Sequence, residues 1–295
     1  MTKNPTMSER DVSTERAREM SETNTIVIEA GRTNRRYWRD LWAARQVIWI
    51  LAVRDISVRY KQSLLGVTWV VLRPLLIIAV FTLVFEKIAR LPSDDGMPYS
   101  LMVMGGMVPW VLFSVSLPDI TNSLVNNSNL IGKVFFPRMS IPLSSMSNAI
   151  MEFTICMLLL VVLMVFYGVP LSWNLALVPL FGMLALLPSI GLGLWWAALN
   201  VRYRDFRFII PFIVQFGLYV TPIGFSSQLI PERWRPLLYM NPMTAVVDGV
   251  RWCISGGTTA LDPLSIVGSL AISSLLVIFG LYYFRKSEKA FADVI

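Results

Sequence analysis

The sequence predicts an all-α integral membrane protein. Six transmembrane helices are expected, preceded by an amphipathic helix at the membrane interface, with a short outer helical hairpin between spans five and six. Three observations predict this. The chain of 295 residues is 55% hydrophobic and 15% charged, with a mean hydropathy of +0.59, whereas a soluble domain carries about 25% charged residues. Six apolar runs, 65–89, 99–117, 141–167, 175–199, 208–226 and 264–284, come close to the roughly 20 residues that cross a bilayer. With the N-terminus inside, 20 Lys and Arg fall on the inner side and 5 on the outer; that bias puts both termini in the cytoplasm.

Composition also excludes. There is no His, which removes His metal ligands, proton relays and Ser–His catalysis, and no metal site is expected. Cys156 and Cys253 are far apart, and the first sits in an apolar run, which argues against a structural disulfide and against zinc. The formal charge of +7 is accounted for by inner loops rather than by nucleic acid.

Residues 1–36 are polar and charged, with few large apolar side chains and no apolar signal-peptide core; a disordered cytoplasmic tail is expected. Residues 37–63 follow as the interfacial helix. Tyr37, Trp38, Leu41, Trp42, Ile48, Trp49 and Ala52 recur at helical spacing among Arg39, Asp40 and Arg45. That suits a helix lying in the membrane surface with Trp at headgroup depth, or one packed on protein; both can hold. Residues 64–285 form the six-span domain, and 286–295 a cytoplasmic tail.

The chain crosses from surface to membrane at residues 54–75. Gly66 breaks the charged half from the apolar half, and within the apolar half stand Arg73 and Pro74. An intramembrane Arg is costly and faces protein or water, and a Pro frees a backbone carbonyl that a neighbour must satisfy. This span is therefore expected to line something. Glu152, taken as the one acid inside an apolar run, is a candidate partner for Arg73.

Two connections exceed a turn. The inner one, residues 119–140, carries Ile131, Val134, Phe135 and Phe136, apolar enough for either a docking knob or packing on its own bundle. The outer one, residues 227–263, holds two short helix signals. Residues 231–240 are the first. In the second, Asn241 suits an N-cap and Pro242 the first helical position. Met243, Val246, Val247, Val250 and Ile254 form its apolar stripe, and Gly256–Gly257 end it. A re-entrant hairpin, a lid or a surface cap would each fit.

An ordered set of residues resembles the membrane subunit of polysaccharide-exporting ABC transporters, the permeases for O-antigen, capsule and teichoic-acid chains. The set begins with Arg54-Asp55-Ile56, Arg59-Tyr60-Lys61-Gln62-Ser63, Leu65-Gly66, Trp69 and Pro74-Leu75. It continues with Gly105-Gly106, Pro109-Trp110, Asn129-Leu130-Ile131, Lys133-Val134, Phe136-Pro137-Arg138, Tyr203-Arg204-Asp205 and Asn241-Pro242. It spans about residues 37 to 285. The resemblance implies a homodimer of six-helix subunits around a channel in the bacterial inner membrane, joined by two copies of a separate ATP-binding subunit. This sequence has no Gly-x-x-x-x-Gly-Lys-Ser/Thr phosphate loop, so ATP and Mg²⁺ would bind the partner, and no cofactor is expected on this chain.

The resemblance sets residues 38–62 and 122–138 against the ATPase. Arg54, Asp55, Arg59, Tyr60, Lys133, Phe135, Phe136 and Arg138 are the coupling candidates, because aromatic residues and Arg anchor interfaces. It sets the hairpin 231–254 at an outer gate, with Pro231, Trp234, Asn241 and Pro242 as candidates. For the channel, aromatic faces suit sugar rings. Trp69, Phe81, Phe85, Trp110, Phe113 and Tyr219 are candidate lining residues, although aromatics in spans also pack helices and touch lipid. Arg73 suits a phosphate-bearing polymer or a lipid-linked pyrophosphate, or else a structural pair with Glu152. A membrane-embedded enzyme lacks the acids or nucleophile–base pair it would need. A drug or lipid exporter shares the expected fold but matches the residue 59–66 run less well.

Overall fold

A computed structural model of the chain describes residues 37–61, 66–134, 136–203, 205–288 and 291. The expected N-terminal tail, Phe135 and most of the C-terminal tail lie outside these. Every long element is a helix. In chain order they are α1 (Tyr37–Ala43), α2 (Arg45–Lys61), α3 (Gly66–Phe81), α4 (Tyr99–Asn126), α5 (Ser128–Ile131), α6 (Ser140–Ser145), α7 (Ser147–Phe166), α8 (Val178–Arg202), α9 (Phe206–Val220), α10 (Arg235–Tyr239), α11 (Pro242–Ile254) and α12 (Pro263–Ser287). Among the described residues five stretches are long and apolar enough to cross a membrane: 68–88, 99–126, 140–166, 173–202 and 263–287.

The fifth run departs from expectation. Residues 208–226 do not form one span-length helix. Instead α9 is 15 residues long, about 22 Å at 1.5 Å per residue. Pro222 is the reason. The residue before a proline is pushed out of the helical region, and Thr221 is extended (φ −79°, ψ 137°). The chain then turns through 221–226, leaving carbonyls that no helix uses.

The second run departs in the opposite direction. It was expected to end at 117, with Asp119 in a loop, but α4 continues to Asn126. Along its polar tail the side chains bond back to the preceding turn instead of turning the chain. Asn122 donates to the Pro118 carbonyl at 3.0 Å, Thr121 to Leu117 at 2.8 Å and Ser123 to Ile120 at 2.6 Å. Asp119 therefore joins Glu152 as an acid inside a span, as does Glu86 within 68–88, so Glu152 is not the one acid in these stretches.

Helix α4 is the axis of the bundle, buried along nearly its whole length. It packs against α7, α8 and α11, and more lightly against α3 and α9. Close approach is secured by small residues. A Cβ on Gly193 would come 2.6 Å from Ile120 Cγ2, and one on Gly280 would come 2.1 Å from the Gly191 carbonyl oxygen. The second contact lets α8 and α12 cross backbone to backbone. Outward-facing residues of the long helices, such as Leu158, Val162, Leu180, Met183, Leu270 and Leu275, are apolar, as a lipid-facing surface requires.

The surface segment is two helices rather than one, with a turn at Ala44. Leu41, Leu51 and Ala52 are buried, and α2 packs on α6 and α7, while Trp38, Trp42 and Trp49 are exposed.

Candidate functional site

The described residues enclose a cavity of about 510 Å³. Its walls come from α3 (Val70, Arg73, Pro74, Ile77), α4 (Met107, Trp110, Val111, Ser114, Val115, Pro118, Asp119), α7 (Glu152) and α9 (Pro211, Val214, Gln215, Leu218), with Arg59 of α2 at one end. Helices α3 and α9 each rest on α4 rather than on one another. The cavity is thus a slot flanked by two outward-facing apolar stripes, one carrying Trp69, Leu72, Leu76 and Val80, the other Phe208, Phe212, Phe216 and Tyr219.

Charge is concentrated at the end near α2. The Arg59 guanidinium meets Asp119 at 2.8 Å and Glu152 at 3.3 Å, and Asn148 donates to Asp119 at 3.4 Å. One cation answering two carboxylates leaves the cluster net negative. Arg73 stands one helix away in the same cavity. It has no ion-pair partner among the described residues and acts on Glu152 only at longer range. The expected structural pair of Arg73 with Glu152 is thus replaced by Arg59 with Glu152. Arg59 itself turns into the bundle, not outward. Tyr60 lies beside it, its phenol pushed up by burial and then by Glu152.

Of the candidate lining residues, Trp110 lines the cavity beside Arg73. Phe113 is buried next to Trp110, their ring centroids 5.3 Å apart, but does not line it. Phe81 and Phe85 meet edge to face at 5.2 Å and close over Gly224, so they pack the helix ends. Trp69 and Tyr219 are exposed on the outer stripes. Phe212 and Phe216, stacked with an interplanar angle of 12° on the same stripe as Tyr219, did not stand out as sequence candidates. Their i, i+4 spacing with Phe208 was the signal.

The coupling candidates gather at the end of the bundle that holds α5. Arg54 bonds Asp55 at 2.7 Å and reaches Asn127 at 2.6 Å, tying α2 to the end of α4. Lys133 and Val134 are exposed, and Phe136 is partly buried. Arg138 is not free to project. Its guanidinium donates to the Glu288 carbonyl, and its backbone N–H to the Glu288 carboxylate at 3.2 Å. A small hollow on α2 is lined by Arg54, Ser57, Val58 and Lys61.

The hairpin lies at the opposite end. Pro231 and Trp234 are exposed, and Arg233 lies over the Trp234 ring at 5.7 Å. Asn241 caps α11 by accepting from the Met243 N–H at 3.0 Å, and donates to Thr221 at 3.0 Å. The Pro242 carbonyl accepts from Ser269 at 2.6 Å. Within α11, Arg251 is buried and paired with Asp94 at 3.4 Å. Sequence reading counted it merely as an outer charge. Its position four residues after Val247 and three before Ile254 places it on the buried face.

Comparison with known proteins fits this anatomy. A family model described as ABC-2 type transporter matches residues 46–255. The chain is 28% identical over 248 residues to an O-antigen export system permease protein RfbA from Klebsiella pneumoniae, covering 83% of this chain and 93% of that protein. It is 27% identical over 255 residues to the protein of the same description from Myxococcus xanthus, covering 85% and 97%.

Proposed function

This multi-pass chain belongs to the ABC-2 type transporter family, and from that premise we propose that it is the permease subunit of an exporter carrying a polysaccharide, lipid-linked at one end, across the bacterial inner membrane. Its similarity to O-antigen export permeases over most of its length supports the substrate class. The observation that carries the reading is Arg73 facing a cavity between apolar helices without an ion-pair partner among the described residues. Glu152 offsets that charge only at longer range, so the guanidinium can take a visiting anionic group. Arg is suited to a phosphate or pyrophosphate, which it grips with two parallel hydrogen bonds.

In this reading α9 and the turn 221–226 complete a sixth crossing, and both termini are cytoplasmic. Two copies meet slot to slot across the α3 and α9 stripes and form the passage. Trp110 inside, and the Phe212, Phe216 and Tyr219 rings at the rim, offer flat apolar faces to sugar C–H groups while hydroxyls stay in water. Helices α1 and α2 lie in the cytoplasmic membrane surface with Trp38, Trp42 and Trp49 among headgroups. Two ATP-binding subunits dock on α2 and the 128–138 loop and hold the ATP and Mg²⁺. The hairpin 231–254 closes the outer mouth.

A deletion strain tests this. Lipid-linked glycan should accumulate in the cytoplasmic fraction and vanish from the surface, and the plasmid-borne gene should restore it. Unchanged surface glycan with increased sensitivity to a drug would instead favour an exporter of small molecules.

A further inference from the structure

Arg251 has no part in the passage described above, yet it is among the largest fully buried side chains of the described residues, with 1% exposure. All three of its nitrogens are engaged. Nε donates to the Met102 carbonyl at 3.3 Å, Nη2 to Ile223 at 2.9 Å and Nη1 to Phe225 at 3.1 Å, and Nη1 lies 3.4 Å from the Asp94 carboxylate. One guanidinium thus joins four segments: the turn after the first span, the first turn of α4, the link after α9, and α11. Two of the carbonyls are available because Pro222 ends α9 and leaves the next residues without helical partners. Glycines make the approach possible, since a Cβ on Gly105 would come 3.3 Å from Arg251 Cγ, and one on Gly106 3.1 Å from Ile223 Cα.

The hairpin divides at Asn241. The arm after it is seated, with ten of the thirteen residues of α11 buried. The arm before it, 227–240, is two short turns and the five-residue α10; Leu229, Trp234, Leu237 and Met240 are exposed, while Leu238 and a Tyr239–Asp262 hydrogen bond of 2.7 Å hold its far end.

We propose that Arg251 is a positioning residue that clasps the outer end of the permease shut, so that 242–254 stays fixed and the exposed arm 227–240 carries the opening motion. The proposal rests on the export reading for its direction and its purpose. A buried guanidinium held by three carbonyls and a carboxylate is expensive to unpair, so the seated arm does not leave its socket in the working cycle.

The test uses the full complex, this chain with its ATP-binding subunit, in proteoliposomes loaded with a small fluorescent dye and given neither ATP nor glycan. Wild type should hold the dye. Arg251→Met should raise passive efflux by about tenfold or more, because one charged hydrogen bond exceeds the free energy that shifts an equilibrium tenfold. Arg251→Lys, which keeps the charge but not the fork, should leak less, and Asp94→Asn least. Assembly is checked by size-exclusion chromatography. Assembled variants as tight as wild type overturn the clasp, and should Arg251→Met not assemble, Arg251→Lys and Asp94→Asn decide by the same readout. ATP-driven glycan movement is measured in the same wild-type vesicles; its absence beside leaky variants counts against the export reading and leaves the clasp standing.

Discussion

Arg59 holds the Glu152 carboxylate at 3.3 Å, and Arg73, which shares their cavity, is left without an ion-pair partner among the described residues. The relationship separates two arginines that sequence alone leaves interchangeable. Arg59 is shared by two carboxylates, while Arg73 lines the cavity without a direct carboxylate contact among the described residues, which in the proposed function leaves it for a ligand.

Arg73→Ala should therefore reduce export at least tenfold, about what is lost with one charge-assisted contact to a phosphate. Membrane insertion and recovery of the complex should be unchanged, and Arg73→Lys should retain part of the activity. Surface glycan in a complemented deletion strain is the measurement. Normal export by Arg73→Ala would remove it from the passage.

Phe136 sits partly buried in the loop before Arg138, which Glu288 holds in place. An anchored loop can transmit a push. Phe136→Ala should cost more than about 1 kcal/mol of partner affinity, as loss of an interface anchor does. Co-purified ATP-binding subunit should fall several-fold with insertion unaffected. Unchanged recovery would place the docking surface elsewhere.

The α8–α12 crossing has no room for a methyl group. A Cβ on Gly280 meets the Gly191 carbonyl oxygen at 2.1 Å, a backbone atom that no rotamer change can move away. Gly280→Ala should destabilise the detergent-solubilised protein by about 1–3 kcal/mol or more. Gly132→Ala, whose Cβ would meet nothing closer than 3.9 Å, should be near neutral. Matched thermal unfolding midpoints would contradict this crossing.

Asp248 lies in α11, outside the long apolar helices. Burial pushes its carboxyl from the ordinary 3.8 to about 6, although Arg251 and a hydrogen bond from Ser227 oppose the shift and Asp94 adds to it. A raised carboxyl binds its proton more tightly in the folded chain than in the unfolded one. Its contribution is therefore full below pH 3.8 and is lost as pH rises through about 6. Stability of the hairpin should decline between about pH 4 and 6.5 and be level above that. Asp248→Asn should flatten that decline, with a gain on the order of 2 kcal/mol at neutral pH. An unchanged slope in the variant would assign the titration to another group.

The long apolar helices were legible because hydrophobic run length is a direct physical requirement of a bilayer. Two ends were misread for a shared reason: periodicity reports apolar content, not backbone hydrogen bonding. Pro222 cut α9 short, though it stood in plain view inside an apolar run. Asn122 and Ser123, which look like loop signals in sequence, sit inside α4 with their side chains bonded to the preceding turn. At the site, Arg73 was visible as a charge in the wrong solvent. The pairing of Arg59 was not, because it joins residues 59, 119 and 152 from three helices. Arg251 was hidden by proximity to other charges of the outer connection, although its helical register matched the buried stripe.

The most direct measurement is ATP-driven movement of a lipid-linked glycan by the purified complex in proteoliposomes, with the ATP-binding subunit facing out. Protection of the glycan from an externally added glycosidase should grow with time and ATP for wild type, and should stay at background for Arg73→Ala despite intact ATP hydrolysis. Glycan that remains fully digestible with wild type, while ATP is hydrolysed, would contradict the assignment of this chain as a polysaccharide permease.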